Sequence, residues 1–213
     1  PREELFLVTK VNFRSYENPR RAVEASLEKL KTSYLDLVLL HWPFGNYYAA
    51  WRELERLYQE GTIRAIGVSN FDPDRLIDLI EFNQVTPAVN QIETHLLCQR
   101  RTEHEWLEKY HVQHMACAPL GQGRKNEMFE HPSLVTIAKA HGKTPAQVTL
   151  RFLMQSGVIV IPKSVHEGRI KENFDVFGFE LTADEMAQLV KMDTAVPMIG
   201  NPENPAVVKA AMK

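Results

Sequence analysis

The sequence predicts an α/β fold, a (β/α)8 TIM barrel of which strands 3–8 and their helices are present. Six apolar runs of strand length alternate with helical patterns, which is typical of a parallel sheet. Nearly every run also ends in a polar residue that core packing does not require. A doubly wound sheet would gather such residues at one switch point, so we favour the barrel. Because a barrel of this kind has eight strands, we expect two further βα units upstream of residue 1.

The predicted strands are rich in leucine and β-branched residues and lack polar alternation. They cover residues 5–11, 35–40, 63–68, 85–90, 112–118 and 158–161. Continuous apolar runs of this length indicate parallel strands that are buried on both faces.

The helices between these strands have clear start and stop signals. Three begin with an N-cap residue followed by proline, namely Asn18-Pro19, Asp72-Pro73 and Thr144-Pro145. Gly61 and Gly157 stand where helix C-caps are expected. Thr182 and Glu185 form a capping-box pattern that predicts the last helix.

Length and composition indicate one ordinary globular domain. The chain has 213 residues, 24% of them charged, and a formal net charge of -2. This charge gives no reason to expect a nucleic acid or an anionic membrane as partner. The two cysteines suit a reducing cytoplasm, and no apolar run is long enough for a transmembrane helix. We therefore expect a single cytoplasmic domain over residues 1–213, a monomer or weak dimer, with a tail at 201–213 that closes over a substrate site.

The stretch Ile161-Pro162-Lys163-Ser164, followed by Arg169, is the most informative part of the chain. An apolar strand ends here and a helical pattern follows, which places Lys163 and Ser164 near the free N–H groups of a helix start. Such a position binds phosphate, and Arg169 adds a bidentate donor. The alternative is a pair of surface cations on an ordinary connection.

The order of the motifs resembles that of the aldo-keto reductases, in particular the bacterial branch with diketogluconate and methylglyoxal reductases. The matching stretches are Leu7-Val8-Thr9-Lys10, Asp36-Leu37-Val38-Leu39-Leu40-His41-Trp42-Pro43, Gly67-Val68-Ser69-Asn70-Phe71, Asn90-Gln91-Ile92-Glu93, and Ile161-Pro162-Lys163-Ser164 with Arg169-Ile170-Lys171-Glu172-Asn173.

This resemblance implies an NADPH-dependent enzyme that reduces small aldehydes, dicarbonyls or keto-sugars to alcohols by hydride transfer. Lys10 and His41 match the catalytic lysine and histidine, and His41 and Trp42 are expected to contact the carbonyl substrate. The catalytic Asp and Tyr of the family belong to the second βα unit, which we expect upstream. Tyr16, Tyr34, Tyr47 and Tyr48 follow Lys10 in the sequence and match no catalytic position.

The resemblance also assigns cofactor contacts. Ser69, Asn70 and Gln91 match the residues that hold the nicotinamide carboxamide. Cys117 stands where the family usually has a tyrosine or tryptophan that stacks on the nicotinamide. The loop that passes the pyrophosphate contains Leu120, Gly121 and Gly123.

The resemblance assigns the adenosine end of the cofactor to the stretch that begins at Ile161. Lys163, Ser164 and Arg169 match the clamp on the adenosine 2′-phosphate, and Glu172 and Asn173 match adenine contacts. A lysine and an arginine at this place favour NADPH over NADH.

Two alternatives remain open on the sequence. The chain is a non-catalytic NADPH-binding or redox-sensing protein, or it is an inactive truncated reductase with exposed sheet edges. We predict no metal site, since His111, His114 and His131 lack partners at metal-ligand spacing. The stretch from His104 to Glu108 lacks the second histidine of a zinc-protease helix, and we interpret it as a solvated helix face.

Overall fold

The computed structural model describes residues 1–122, 125–199, 202 and 204–211. It contains a parallel sheet of six strands that follow one another in chain order. The strands are β1 (Val8–Val11), β2 (Leu37–Leu40), β3 (Ile66–Ser69), β4 (Val89–Glu93), β5 (Gln113–Cys117) and β6 (Ile159–Val160). The predicted α/β fold with a parallel sheet is confirmed. An eight-stranded barrel is not confirmed.

Helices connect and flank the strands. Those among the described residues are α1 (Pro19–Leu30), α2 (Tyr47–Gln59), α3 (Pro73–Glu81), α4 (Arg101–Lys109), α5 (Lys125–Phe129), α6 (Pro132–His141), α7 (Pro145–Gln155), α8 (Glu167–Phe174), α9 (Ala183–Val190) and α10 (Pro205–Ala211). No helix in this part of the chain is long and apolar enough to cross a membrane.

The chain forms two compact units. The first contains Pro1–Gln91, Glu105–Gln113 and the tail from Pro202, and the second contains Ile92–His104 and the stretch that runs from His114 up to the tail. In the first unit, Trp51 of α2 is fully buried, as expected for a helix core residue. In the second unit, α6, α7 and α9 contribute to one apolar cluster.

The sequence overestimates the burial of the sheet. β2, β3 and β4 are buried at every position, as predicted. In β1, Val8 is 38% exposed, and in β6 Ile159 is 39% exposed. Ile161, which the prediction placed in the last strand, lies beyond it and is 48% exposed. The difference arises because β1 and β6 are the first and last strands in the sheet order.

Most of the helix signals are confirmed. The side chains of Asn18 and Thr144 accept hydrogen bonds from the first turns of α1 and α7, and Thr182 forms a complete capping box with Glu185 at α9. Asp72 precedes α3 but makes no capping hydrogen bond from its side chain. The expectation that the Thr182 box opens the last helix is wrong, because α10 follows it in the tail.

The strand register in the first unit brings the polar strand ends into one row. Val11, Leu40, Val68 and Asn90 are in register across β1 to β4. One residue further along, His41, Ser69 and Gln91 therefore lie side by side. Lys10, two positions before this row, has its side chain on the same face of the sheet, since side chains alternate along a strand.

Candidate active site and cofactor site

The Ser69 hydroxyl connects β1, β3 and β4 near their carboxyl ends. The ammonium group of Lys10 donates to Ser69 Oγ at 3.2 Å, and Ser69 Oγ donates to the Gln91 carbonyl at 2.9 Å. Ser69 is fully buried and Gln91 nearly so. The lysine is therefore held by a buried hydroxyl and has a fixed direction, as a group that must stabilise charge at one point requires.

Asn70 completes this network through an unusual backbone conformation. Its φ is 62°, in the left-handed region, where asparagine is among the better-tolerated residues. In this conformation its side-chain amide donates to the His41 carbonyl at 2.9 Å and to Ser69 Oγ at 3.2 Å. Its backbone N–H donates to the Gln91 carbonyl at 2.9 Å. Lys10, His41, Ser69, Asn70 and Gln91 are thus brought together as the sequence predicts.

His41 is an uncharged imidazole at neutral pH. Burial, and to a smaller extent the charge of Lys10, lower the pKa of His41 to about 4. A neutral imidazole can donate a hydrogen bond to a carbonyl oxygen without adding a second positive charge beside Lys10.

Tyr16 lies beside the backbone of Trp42, the residue that follows His41. The sequence did not indicate this position. It is 3% exposed, and its hydroxyl donates to the Trp42 carbonyl at 2.8 Å. Burial raises the pKa of Tyr16, so this phenol holds its proton. The Trp42 ring is stacked on that of Phe44, with centroids 5.3 Å apart. The signal that could have found Tyr16 is its position in the loop after β1, the strand that carries Lys10.

A cavity of about 310 Å³ in the second unit contains the residues predicted for the adenosine end of the cofactor. Of the described residues that line it, six were predicted from the sequence, namely Leu120, Lys163, Ser164, Arg169, Glu172 and Asn173. Four were not, and these are Phe129, Ala146, Val165 and His166. Phe129 ends α5 and Ala146 lies in the first turn of α7, and no sequence pattern connects either with the loop at Lys163.

The loop before α8 is longer than the sequence suggested. The first helical residue is Glu167 and the N-cap is His166, so Lys163 and Ser164 lie in the loop rather than at the helix start. The Ser164 hydroxyl accepts from the His166 N–H at 3.1 Å. This bond closes a serine turn that leads the chain from β6 into α8.

The charges around the cavity suit a phosphate group. Lys163, His166 and Arg169 are exposed, and none of them forms a side-chain hydrogen bond or an ion pair with another described residue. The carboxylate of Glu172 accepts from the Thr144 hydroxyl at 2.5 Å. Among the described residues that line the cavity, three therefore carry basic groups, and the one carboxylate, that of Glu172, is already bound by a hydroxyl.

Three further residues were predicted to contact the cofactor, namely Cys117, Gly121 and Gly123. Cys117 is the partly buried last residue of β5, and its carbonyl accepts from the Thr94 N–H at 3.0 Å. Gly121 has a φ of 65°, which favours glycine, and its N–H closes a turn by donating to the Ala118 carbonyl at 3.0 Å. Gly123 lies outside the described residues.

A second cavity, of about 600 Å³, lies in the first unit. It is lined by the residues that follow His41 and Trp42, by the start of α3, and by the tail helix α10. The lining residues include Phe44, Asp72, Arg75, Val208 and Lys209.

The interpretation of the stretch from His104 to Glu108 in α4 as a solvated helix face is wrong for His104. His104 does not lie on a solvated face, because its Nδ1 is 3.0 Å from Nδ1 of the buried His114. The other ring nitrogen of His114 is 2.7 Å from the Thr94 hydroxyl. Burial, then the nearby His104 and Arg100, lower the pKa of His114 to about 3.

Comparison with known proteins identifies close relatives. The model of the Aldo/keto reductase family matches residues 1–194. The chain is 42% identical over 207 residues to the 9,11-endoperoxide prostaglandin H2 reductase of Trypanosoma cruzi, which covers 96% of this chain and 73% of that protein. It is 44% identical over 195 residues to the methylglyoxal reductase DkgA of Escherichia coli, which covers 90% of this chain and 70% of that protein.

A crystal structure of a Gox0644 mutant in complex with NADPH is similar in fold. It superposes with a TM-score of 0.90 at 39% identity and covers 95% of this chain and 76% of that one. The family match begins at residue 1. It gives no support to the expectation of two missing βα units, which stays a prediction.

Proposed function

Because the chain belongs to the Aldo/keto reductase family, we propose that it binds NADPH and reduces small aldehydes, dicarbonyls or keto-sugars to alcohols. The observation that carries this proposal is the cavity that Lys163, Ser164 and Arg169 line together with Glu172 and Asn173. Its uncompensated basic groups fit the 2′-phosphate that distinguishes NADPH from NADH. The NADPH complex of the Gox0644 mutant supports the same choice of cofactor.

The other end of the cofactor is proposed to lie on the row of polar strand ends. The buried amide of Gln91, with Ser69 and Asn70, offers the donors and acceptors that a carboxamide needs. The bound cofactor supplies a hydride to the carbonyl carbon of the substrate.

Lys10 and His41 act on the carbonyl oxygen. Negative charge develops there, and His41, as a neutral donor, orients and stabilises it. The ammonium group of Lys10 lowers the pKa of a neighbouring phenol and so eases proton transfer to the oxygen. In the family this phenol belongs to a tyrosine, whose position Tyr16, Tyr34, Tyr47 and Tyr48 do not match.

The substrate is proposed to enter beside His41 and Trp42. The second cavity is lined by the residues that directly follow His41 and Trp42 in the sequence, and α10 forms another part of its lining. This supports the proposal that the tail closes over the substrate. The tail is also attached to the loop after β1, because the Arg14 guanidinium donates to the Ala211 carbonyl at 3.4 Å.

The proposal is tested by replacing Lys163 and Arg169 with alanine and measuring the dissociation constants of NADPH and NADH. We expect the double variant to lose NADPH affinity by at least about tenfold, since each charged pair contributes on the order of 1 kcal/mol, and to keep its NADH affinity. Lys171→Ala is the matched control, because Lys171 is on α8 and pairs with Glu167 at 2.7 Å outside the cavity lining. An equal loss for both dinucleotides would refute the 2′-phosphate assignment.

A second candidate function is NADPH binding without turnover. The observation in its favour is that Tyr16, the tyrosine beside His41, holds its proton and is bound to the backbone of Trp42. NADPH oxidation in the presence of methylglyoxal distinguishes the two functions. Turnover supports the reductase, and tight NADPH binding without turnover on any carbonyl substrate supports the second candidate.

A further inference from the structure

Glu93 is the last residue of β4, and its carboxylate is buried, since the residue is only 4% exposed. Its Oε1 accepts from the Met198 N–H and lies 3.0 Å from Nε2 of His95, and its Oε2 accepts from the Ile199 N–H at 3.0 Å. Burial raises the pKa of Glu93, but these hydrogen bonds lower it by more, so the group is ionised at neutral pH. Both oxygens of a buried charge are therefore satisfied by nitrogen donors.

Two of these donors belong to the segment that follows α9, residues 193–199. The start of this segment is fixed at Thr194, whose N–H and hydroxyl donate to the Leu97 carbonyl at 3.0 and 2.7 Å. Its far end is fixed by Glu93. Val196 is 55% exposed and Ile199 is 42% exposed, so apolar burial contributes little at these positions. The charge-assisted hydrogen bonds to Glu93 therefore anchor the backbone at the far end.

The anchor at Glu93 requires a carboxylate. A glutamine of the same size presents one oxygen and one NH2 group. The NH2 group would face a backbone N–H or the His95 ring nitrogen that now donates, and a donor would lose its partner. Leaving a buried donor unpaired costs more than the hydrogen bond itself contributes. Glu93→Gln is thus expected to release the segment while it changes the shape of the side chain very little.

The tail begins directly after this anchor. Pro202 follows Ile199 by three residues and lines the second cavity. Three residues of chain span at most about 11 Å, so the anchor limits how far Pro202 can move. Among the described residues, the nearest hydrogen-bonded anchor before it is Thr194, from which eight residues reach up to about 29 Å. The tail residues of α10 that line the same cavity are Pro205, Val208 and Lys209.

We propose that Glu93 is a positioning residue for the substrate, because it holds Met198 and Ile199 and thereby restricts the tail that lines the second cavity. This inference rests on the proposal that the substrate binds in that cavity. The cavity has a volume of about 600 Å³, so a two-carbon aldehyde occupies a small part of it and an aromatic aldehyde a larger part. The affinity for the larger aldehyde depends on the place of the tail, and the affinity for the smaller one depends on it little.

The experiment compares the unmodified chain with Glu93→Gln and Thr194→Val. Amide hydrogen exchange over residues 204–211 measures how firmly the tail is held. Dissociation constants of benzaldehyde and acetaldehyde are measured in the complex with NADP⁺, which has no hydride to give, so that the result does not depend on turnover. The dissociation constant of NADP⁺ itself shows whether the rest of the molecule is intact.

We expect the tail amides of Glu93→Gln to exchange at least about tenfold faster, because hydrogen bonds to a charged group are lost. Benzaldehyde should bind about three- to tenfold more weakly, whereas acetaldehyde should change by less than about twofold and NADP⁺ not at all. Thr194→Val is the matched control, since it removes a hydrogen bond from the same segment and leaves the Glu93 anchor in place. It should behave as the unmodified chain in all four measurements.

A second variant keeps the inference testable if Glu93→Gln does not fold. Ile199→Pro removes one backbone donor at a position that is 42% exposed and leaves the buried carboxylate unchanged. We expect the same changes in tail exchange and in benzaldehyde binding, in the same direction.

Three results would overturn the inference. If tail exchange does not change in these variants, Glu93 does not hold the tail, and the proposed substrate site stands. If exchange becomes faster but benzaldehyde binds as before, the anchor is only structural. If the unmodified NADP⁺ complex binds neither aldehyde, the proposed substrate site itself is refuted, and the role of Glu93 is refuted with it.

Discussion

The Tyr16 hydroxyl binds both backbone groups of Trp42, donating to its carbonyl at 2.8 Å and accepting from its N–H at 3.1 Å. Trp42 directly follows His41, whose own N–H donates to the Val11 carbonyl at 3.0 Å and whose carbonyl accepts from Asn70. The chain at His41 is therefore held from three sides. A side chain that must orient a carbonyl needs such a fixed backbone.

Tyr16→Phe removes both bonds and keeps the ring. We expect the free energy of unfolding to fall by about 1–3 kcal/mol, because the Trp42 carbonyl and N–H lose a partner in a partly buried place. Urea unfolding measures this. Tyr58→Phe is the matched control, since Tyr58 lies on α2 and is 41% exposed. Equal stability of the two variants would show that the Tyr16 hydroxyl does not hold this segment.

Lys10→Met keeps the length of the side chain and removes its charge. In a form of the protein that turns over a carbonyl substrate, we expect kcat to fall by at least about 100-fold, because proton transfer to the oxygen loses its support. The NADPH dissociation constant should not change. Lys29→Met, at an exposed site on α1, is the control. Retained turnover in Lys10→Met would show that Lys10 has only a structural role.

The same replacement changes the titration of His41. The pKa of His41 lies at about 4 because of burial and, secondly, the charge of Lys10. In Lys10→Met we expect this pKa to rise while staying below the ordinary value of about 6.5, since burial, the larger cause, remains. NMR titration of the imidazole measures it. A pKa that stays at its original value, or falls, would contradict the assigned cause.

The low pKa of His41 also affects stability. An unfolded chain binds a proton at this histidine below a pH of about 6.5, whereas the folded chain does so only near pH 4. The contribution of this group is thus present above pH 6.5 and is lost as the pH falls towards 4. His41→Gln should make the stability less sensitive to pH in this window, as measured by urea unfolding at several pH values. An unchanged slope would refute the linkage.

Gly67→Ala tests the close approach of three strands. A Cβ at Gly67 would lie 2.6 Å from the Val89 carbonyl oxygen and 2.7 Å from Cδ2 of Leu39. The strands must separate to admit it, and we expect a loss of about 1–3 kcal/mol in the free energy of unfolding. Gly168→Ala is the control, because a Cβ there meets no atom within 4 Å and the position is helical. A neutral Gly67→Ala would mean that the strands are not packed this closely.

Cys117→Tyr tests the departure from the family pattern. An aromatic ring at this position is expected to stack on the nicotinamide, which is worth about 0.5–1.5 kcal/mol, or a factor of about two to ten in NADPH affinity. Cys117→Ser removes the thiol without adding a ring and should give no gain. Fluorescence titration with NADPH measures both. Unchanged or weaker binding by Cys117→Tyr would show that the position does not face the cofactor.

The elements of this fold were predictable where the signal is local. The capping residues Asn18, Thr144 and Thr182 each bond to an N–H three residues away, so a short stretch of sequence contains the whole interaction. The strand positions followed from apolar runs in the same way. The first and last strands were predicted too long and too buried, because an apolar run does not reveal which neighbours its residues will have.

The residues of the candidate site also differ in whether a local sequence signal reveals them. Lys10, His41 and Lys163 stood out in the sequence as polar or charged residues at strand ends or directly after them. Tyr16 and His166 did not, because Tyr16 matches no motif and His166 resembles an ordinary loop residue. Their partners and surroundings become visible only when the chain is folded.

The sequence by itself determined that the fold is α/β with a parallel sheet, the order of its strands, and the chemical types available at the carboxyl ends of the strands. These depend on hydrophobic periodicity and on contacts between near neighbours in the chain. The tertiary structure alone decided that Lys10 bonds to Ser69, 59 residues away, and that Tyr16 bonds to Trp42, 26 residues away. Such pairs depend on strand register and on loop closure over long separations, which no local pattern of residues encodes.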